Sequence, residues 1–216
     1  DGSLLRAWAS HKSLAARDGS DEPPGPDQGR NAEVDFRGQK RSNATHVSRT
    51  DPEALLASKG GAGAYLSFTT HALAENRHGL IVDVHTTQAT GTAEREAALV
   101  MVKRTVKPAD ATRQPTLAAD RGYDTADFIA ALGPLGVLPH VAAKTKGSAV
   151  PSEIKVTEAY AVSLRRRKMI EEAFGWAKDI GTLRRLMARG LETIRAHALL
   201  NFAAYNLVRL GNLLAS

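Results

Sequence analysis

Apolar residues fall in short, well-separated runs along this chain, and the spacing of those runs predicts a mixed order of strands and helices. Residues 1–10, DGSLLRAWAS, mix small and apolar side chains and predict a strand. AYLSFTT (64–70) and GLIVDVHTT (79–87), joined across the polar turn ENRHG, predict a β-hairpin. Over 90–106 the stripe Ala97, Ala98, Met101 and Val102 has helical spacing, with Thr92 at the N-cap position. PTLAA (115–119) predicts a strand running into Asp120, and 115–120 is expected to be a central strand of the sheet. A helix follows over 125–133, capped by Asp124 or Thr125, and GVLPHVA (136–142) is a further strand. Lys144 to Val156 is a polar connector. The periodicity then predicts one continuous helix over 160–178 and a second over 191–215. In that last helix Leu191, Ile194, Ala198, Leu199, Phe202, Tyr205, Leu207, Val208 and Leu210 are expected to make a broad buried face.

Between the first strand and the hairpin the pattern lapses. Residues 17–52 are rich in Gly, Pro, Asp, Asn and Arg, and predict a long irregular insert with little regular structure. Strands alternating with helices on either side of it imply a mixed α/β sheet with helices packed on it. There is no internal repeat.

Composition narrows the partners. With 29 Lys+Arg against 23 Asp+Glu, the net charge is +6, which suits a polyanion such as nucleic acid, although a solvated basic surface meets the same count. There is no cysteine, so disulfides and thiolate metal sites are excluded. No run approaches the ~18 apolar residues of a membrane span. The seven histidines lack HxxxH or HxH spacing, and His71, His85 and His140 are expected to be structural or loop residues. No GxSxG, GxxxxGK[ST] or GxGxxG motif occurs, so nucleophilic-serine and nucleotide-binding chemistry find no support.

Carboxylates carry the candidate chemistry. Phosphodiester cleavage by two metal ions needs several of them to converge on one point from rigid positions. Asp120 ends an apolar strand, where ligand crevices of α/β sheets open; by pattern alone it equally begins a turn. Glu171 lies in RRRKMIEEAFGWAKDIGTLRR, where Arg167, Glu171 and Lys178 would share one face of a continuous helix, and a surface ion-pair row reads the same way. Asp1 heads the first predicted strand, and its position by itself assigns it no role.

Four ordered blocks resemble the DDE transposases of bacterial insertion sequences, in the group with the motif Y-x2-R-x3-E-x6-K. They are DGSLLRAWASHKS, then RNAEVDFRGQKRSNATHVSRTDPEALLASKGGAGAYLSFTTHALAENRHGLIVD, then LAADRGYDTADF, and last the stretch from RRRKMIEEAFGWAKDIGTLRR to NLVRL. The likeness covers nearly the whole chain. It implies one RNase H-like catalytic domain over 1–216, a mixed sheet flanked by helices with the irregular insert 17–52 after the first strand. It implies Asp1, Asp120 and Glu171 as catalytic metal ligands, Mg²⁺ as cofactor with Mn²⁺ able to substitute, and metal-dependent cleavage and strand transfer at transposon ends. The motif Arg is Arg167 and its Lys is Lys178; the Tyr position holds Leu164, a departure that touches DNA contact and not the metal site. With Arg184 and Arg185, Arg167 and Lys178 are expected to line a DNA-binding surface. The implied partner is double-stranded DNA, transposon end and target, with a homo-oligomer forming on it in the bacterial cytoplasm. The family carries a DNA-binding segment upstream of the first Asp, so this chain alone is expected to be a weak enzyme. Two alternatives remain at this stage: a non-catalytic DNA-binding remnant, and a nuclease of the same fold.

Overall fold

A computed structural model of the chain describes residues 1–20, 41–58, 63–106 and 114–215. Its centre is a long hairpin. β5 (Tyr65–Ala74) and β6 (Ile81–Gln88) pair antiparallel from Phe68↔Gln88 to Ala74↔Ile81, with a register shift between Leu73 and Ala74. The connecting turn closes on one side chain. The Glu75 carboxylate accepts the backbone N–H groups of Arg77 (2.8 Å), His78 (2.7 Å) and Leu80 (3.2 Å). Burial would raise the Glu75 carboxyl, but those three N–H groups and the nearby His78 outweigh it and hold it below its ordinary value.

β1 (Gly2–Arg6) lies antiparallel on the other edge of β5, in the register Gly2↔His71 to Arg6↔Ser67. β4 (Leu55–Ala57) shares the β6 edge, pairing with Tyr65 to Ser67. Two three-residue strands, β2 (Leu14–Ala16) and β3 (His46–Ser48), form a separate ribbon at the start and end of the predicted insert. That predicted insert includes residues 21–40, which lie outside the described residues; in its described part β3 is the only strand.

Further along, β7 (Thr116–Ala119) and β8 (Leu138–Val141) pair in parallel as a second sheet. The expectation that 115–120 forms a central strand is therefore corrected: among the described residues β5 is the central strand, and β7 is bonded on one edge only, to β8. β7 is followed by α2 (Ala126–Leu132), capped by Thr125, whose hydroxyl accepts from Phe128 N–H. Asp124, the other candidate cap, instead turns inward and accepts from Lys144 N–H (2.7 Å) and Ala149 N–H (2.8 Å).

Helices cover both faces. α1 (Ala93–Thr105) buries Ala97, Ala98, Met101 and Val102 as its stripe predicts; Thr92 stands at its N-cap but makes no side-chain capping bond. α5 (Met169–Asp179) and α6 (Leu191–Leu214) cover the opposite face. There Ile170, Ala173, Phe174, Ala177, Ile194, Ala198, Phe202 and Tyr205 pack with Leu5, Leu66, Phe68, Ala72 and Val84 of the sheet. A second core joins α1, α2 and the β7–β8 ribbon to α4 (Glu158–Arg166), around Val102, Leu117, Phe128, Leu132, Val141 and Tyr160. A four-residue helix, α3 (Ser152–Lys155), precedes α4.

Two helix predictions need correction. The helix expected over 160–178 is broken into α4 and α5 at Arg167–Lys168. Four consecutive cations, Arg165 to Lys168, fall at the break, where an unbroken helix would crowd like charges into little more than one turn. In α6 only one side of the expected apolar face is buried. Leu199, Leu200, Leu207, Val208, Leu210 and Leu214 are exposed, because Ile194, Ala198, Phe202 and Tyr205 already fill the contact with the sheet.

Candidate active site

Where the two sheets face one another a groove of about 1430 Å³ opens. Its walls are the end of β5 from Ala72, the Glu75–His78 turn, β7 with Asp120, and the start of α5 with Arg166 and Arg167 ahead of it. Asp1 and Asp120 both line it. β1 pairs with Ser67 to His71 of β5, and Asp1 carries the pairing on to Ala72, its nitrogen donating to Ala72 O at 3.1 Å and its carbonyl accepting from Ala72 N–H at 3.0 Å. Antiparallel pairing sets Asp1 beside Ala72, on the sheet face that carries α5.

Each candidate carboxylate has a distinct local reason for its position. The Asp1 side chain accepts from Gly2 N–H at 2.7 Å, which folds it back along its own strand. Asp120 ends β7 and caps the following 3₁₀ turn, accepting from Gly122 N–H at 2.7 Å. The strand-end reading and the turn reading of Asp120 thus describe the same geometry. Glu171 sits in the first turn of α5, exposed, directly after Ile170, which does line the groove. The structure brings Asp1 and Asp120 to one groove and sets Glu171 beside its rim. As the side chains stand, no group of three or more His, Asp or Glu among the described residues is disposed to hold a metal ion.

Of the expected basic residues, Arg167 lines the groove, at the α4–α5 break and not on one helix face with Glu171. Lys178, on α5, donates to Ser3 Oγ of β1, one alternate position from Asp1. Arg184 and Arg185 stand exposed on the turn after α5, away from the groove lining, with Arg184 ion-paired to Asp179. Pattern reading passed over two cations on the lining, Arg77 in the hairpin turn and Arg166 beside Arg167. The run RRRK was the available signal for Arg166; for Arg77 there was none, since a turn arginine is ordinarily solvated. His71, His85 and His140 all stand on strands and not in loops. His140 is buried with Nδ1 2.7 Å from Ser163 Oγ, and burial lowers its pKa. His71 is fully buried.

Against known protein families, the one described as the transposase DDE domain matches residues 42–207. The chain belongs to that family. Asp120 and Glu171 of this DDE domain lie inside the matched span and Asp1 lies before it. No curated protein and no solved structure matches the chain. Among the described residues, no helix of the DDE domain is long and apolar enough to cross a membrane.

Proposed function

We propose that this DDE domain cuts and joins DNA at transposon ends by metal-dependent strand cleavage and strand transfer, with Asp1, Asp120 and Glu171 as its acidic residues. The observation that carries the reading is the groove: residues from opposite ends of the sequence, Asp1 and Asp120, line one cleft that also presents Arg77, Arg166 and Arg167. Carboxylates and arginines on one lining suit a phosphodiester and its metal ions, with the arginines holding the backbone as bidentate forks. The antiparallel β1–β5–β6 set beside a parallel β7–β8 pair, with helices on both faces, supports an RNase H-like ground plan.

The donor set on offer is carboxylate oxygen, with Asp1 and Asp120 at the groove and Glu171 at its rim. Such hard donors fit Mg²⁺ or Mn²⁺, which keep several waters and need few protein ligands. When bound, such ions activate an attacking oxygen and stabilise a leaving one. The chain's own part is to fix the carboxylates through the Gly2 and Gly122 N–H bonds. Arg167, Lys178, Arg184 and Arg185, with Arg77 and Arg166, are then the phosphate-holding cations, and double-stranded DNA is the substrate.

The test is a strand-transfer assay with Mg²⁺ or Mn²⁺, using a duplex that carries the element's ends with a free 3′-hydroxyl. Joined product from the wild-type chain, lost in Asp120→Asn, supports the reading. Cleavage without joining reassigns the chain as a nuclease of the same fold. DNA binding with neither reaction identifies the non-catalytic remnant.

A further inference from the structure

The end of β1 away from Asp1 carries a patch that the groove does not use. The pairing continues past Arg6: Ala7 N–H donates to Leu66 O at 2.9 Å, which sets Trp8 abreast of Tyr65 as Arg6 is abreast of Ser67. Residues opposed across an antiparallel pair share a face, and side chains alternate along a strand. Arg6, Trp8 and Tyr65 therefore stand together on one face at the end of the sheet. All three are exposed, Trp8 by 53% and Tyr65 by 40%, and none lines the groove.

Each ring is paired with a guanidinium. Arg6 lies over Tyr65, 3.6 Å from the ring centroid, and Arg189 lies over Trp8 at 4.6 Å. Arg189 arrives there because the segment before α6 runs beside β1. Trp8 N–H donates to Ala188 O at 3.3 Å, while Leu186 and Ala188 turn into the core and leave Arg189 outward. The Arg189 Nε also donates to Trp8 O at 3.2 Å, so its guanidinium is held by both the ring and the backbone. His11 adds a further ring, 5.9 Å from Tyr65.

Charge selects the occupant. Arg6 and Arg189 are cations, and none of these residues is a carboxylate. Glu53, which approaches Gly190, is turned to the start of α6 and accepts from Leu191 N–H at 2.9 Å. A polyanion is the complement of such a patch. The rings decide which polyanion. Bases in a duplex are already stacked on one another, whereas unpaired bases stack on aromatic side chains and on guanidinium planes.

We propose that this end of the sheet is a second nucleic-acid surface, which takes single-stranded DNA by stacking unpaired bases on Trp8, Tyr65 and their guanidiniums. Arg6 and Arg189 also meet its phosphates. This rests on the DNA reading above and adds a strand-binding face apart from the groove; a strand freed by cleavage is a ligand of this kind.

The chain has two tryptophans, and the other, Trp176, packs against Tyr205 at 5.9 Å, so indole fluorescence can report on Trp8. The full chain is titrated with a short single-stranded oligothymidylate and with the duplex of the same length, each followed by tryptophan fluorescence and by the anisotropy of an end label. In the wild type the single strand is expected to bind and to quench the indole. Trp8→Ala is expected to lose affinity for it by roughly tenfold or more while binding duplex as the wild type does. Trp8→Phe keeps a stacking ring, so it binds the single strand close to wild type but shows no quenching. Thermal melts show whether the variants fold, and should Trp8→Ala not fold, wild-type quenching compared with Trp8→Phe still decides. A folded Trp8→Ala with wild-type affinity for the single strand, or wild-type binding without quenching, overturns the proposal; duplex binding that persists leaves the groove reading standing. Binding of neither DNA overturns both. A DNA-free chain that sediments as a dimer and is dissociated by Trp8→Ala assigns the patch to a second copy and likewise overturns the proposal.

Discussion

Gly2 shows how far one hydrogen atom decides the packing of β1. A Cβ added to it would meet both His71 Nδ1, at 2.9 Å, and the Glu94 carboxylate, at 3.0 Å, so Gly2→Ala must push a neighbour away. We expect a loss of roughly 1–3 kcal/mol, the usual cost of overpacking, measured as a lower midpoint in urea unfolding. Asp124 makes the complementary case of a polar group that the fold cannot do without. Its buried carboxylate holds the backbone of Lys144 and Ala149 at 2.7 and 2.8 Å. Burial would raise its pKa. The N–H of Lys144, the Ser148 hydroxyl, the N–H of Ala149 and the Lys144 charge together outweigh that and lower it. A depressed carboxyl contributes its stability in full above the unfolded-state value, about 3.9, and loses it as the pH falls through the lower folded value. Asp124→Ala is therefore expected to cost roughly 2–4 kcal/mol at pH 7, since bonds to charged groups contribute about 1.5–3 kcal/mol each and losses at one site are not additive. The difference between mutant and wild type should shrink below pH 4, and denaturant melts across pH 2–7 measure it.

At the scale of elements, α6 is held by residues far from it in sequence. Gly190, its N-cap, has φ 78° and no capping side chain, and the first turn is instead satisfied from the β3–β4 region. Asp51 accepts from Gly190 N–H at 3.1 Å and Glu53 from Leu191 N–H at 2.9 Å. Glu53→Gln is expected to cost about 0.5–1 kcal/mol, because it removes a carboxylate from the positive end of a helix. The two sides of α6 should respond differently. Phe202→Ala, in the core, is expected to cost about 3–5 kcal/mol, whereas Leu207→Gln, at an exposed position, should stay within about 0.5 kcal/mol; a pair of thermal melts checks both. The asymmetry also marks what could be read from the chain beforehand. The hairpin, α1 and the β7–β8 strands were legible because a single period holds across each of them. The three-residue strands β2, β3 and β4 are too short to show a period, and their pairing is set by partners elsewhere. The α4–α5 break and the exposed side of α6 escaped for a related reason: periodicity reports which residues are apolar, and packing decides which of them find a partner. Asp120 and Arg167 were picked out by a strand end and a motif, and both line the groove. The contact of Glu94 with Gly2 was not legible, since only the fold brings the first turn of α1 against β1.

For the molecule as a whole, the +6 charge matters through where it stands. Arg77, Arg166 and Arg167 share the groove lining, and in α4 and the α4–α5 break the cations run without interruption from Arg165 to Lys168. Replacing Arg166 and Arg167 with Ala is expected to weaken binding to any duplex and to flatten the log–log salt dependence by up to about 0.9 per lost phosphate contact; fluorescence anisotropy at several salt concentrations reads the slope. The hairpin turn closed by Glu75 bears on a different property, the order in which the chain assembles. β5 and β6 are joined by six residues, Glu75 to Leu80, so their pairing costs little loop entropy, whereas β1 reaches β5 only by closing a loop of nearly sixty residues, Ala7 to Ala64. Hairpins form in about 1–10 μs, and non-local pairings follow more slowly. Pulsed hydrogen exchange should accordingly protect the amides of Val84 and Thr86 before those of Leu4 and Leu5, leaving the Asp1 wall of the groove as the last part of the sheet to form.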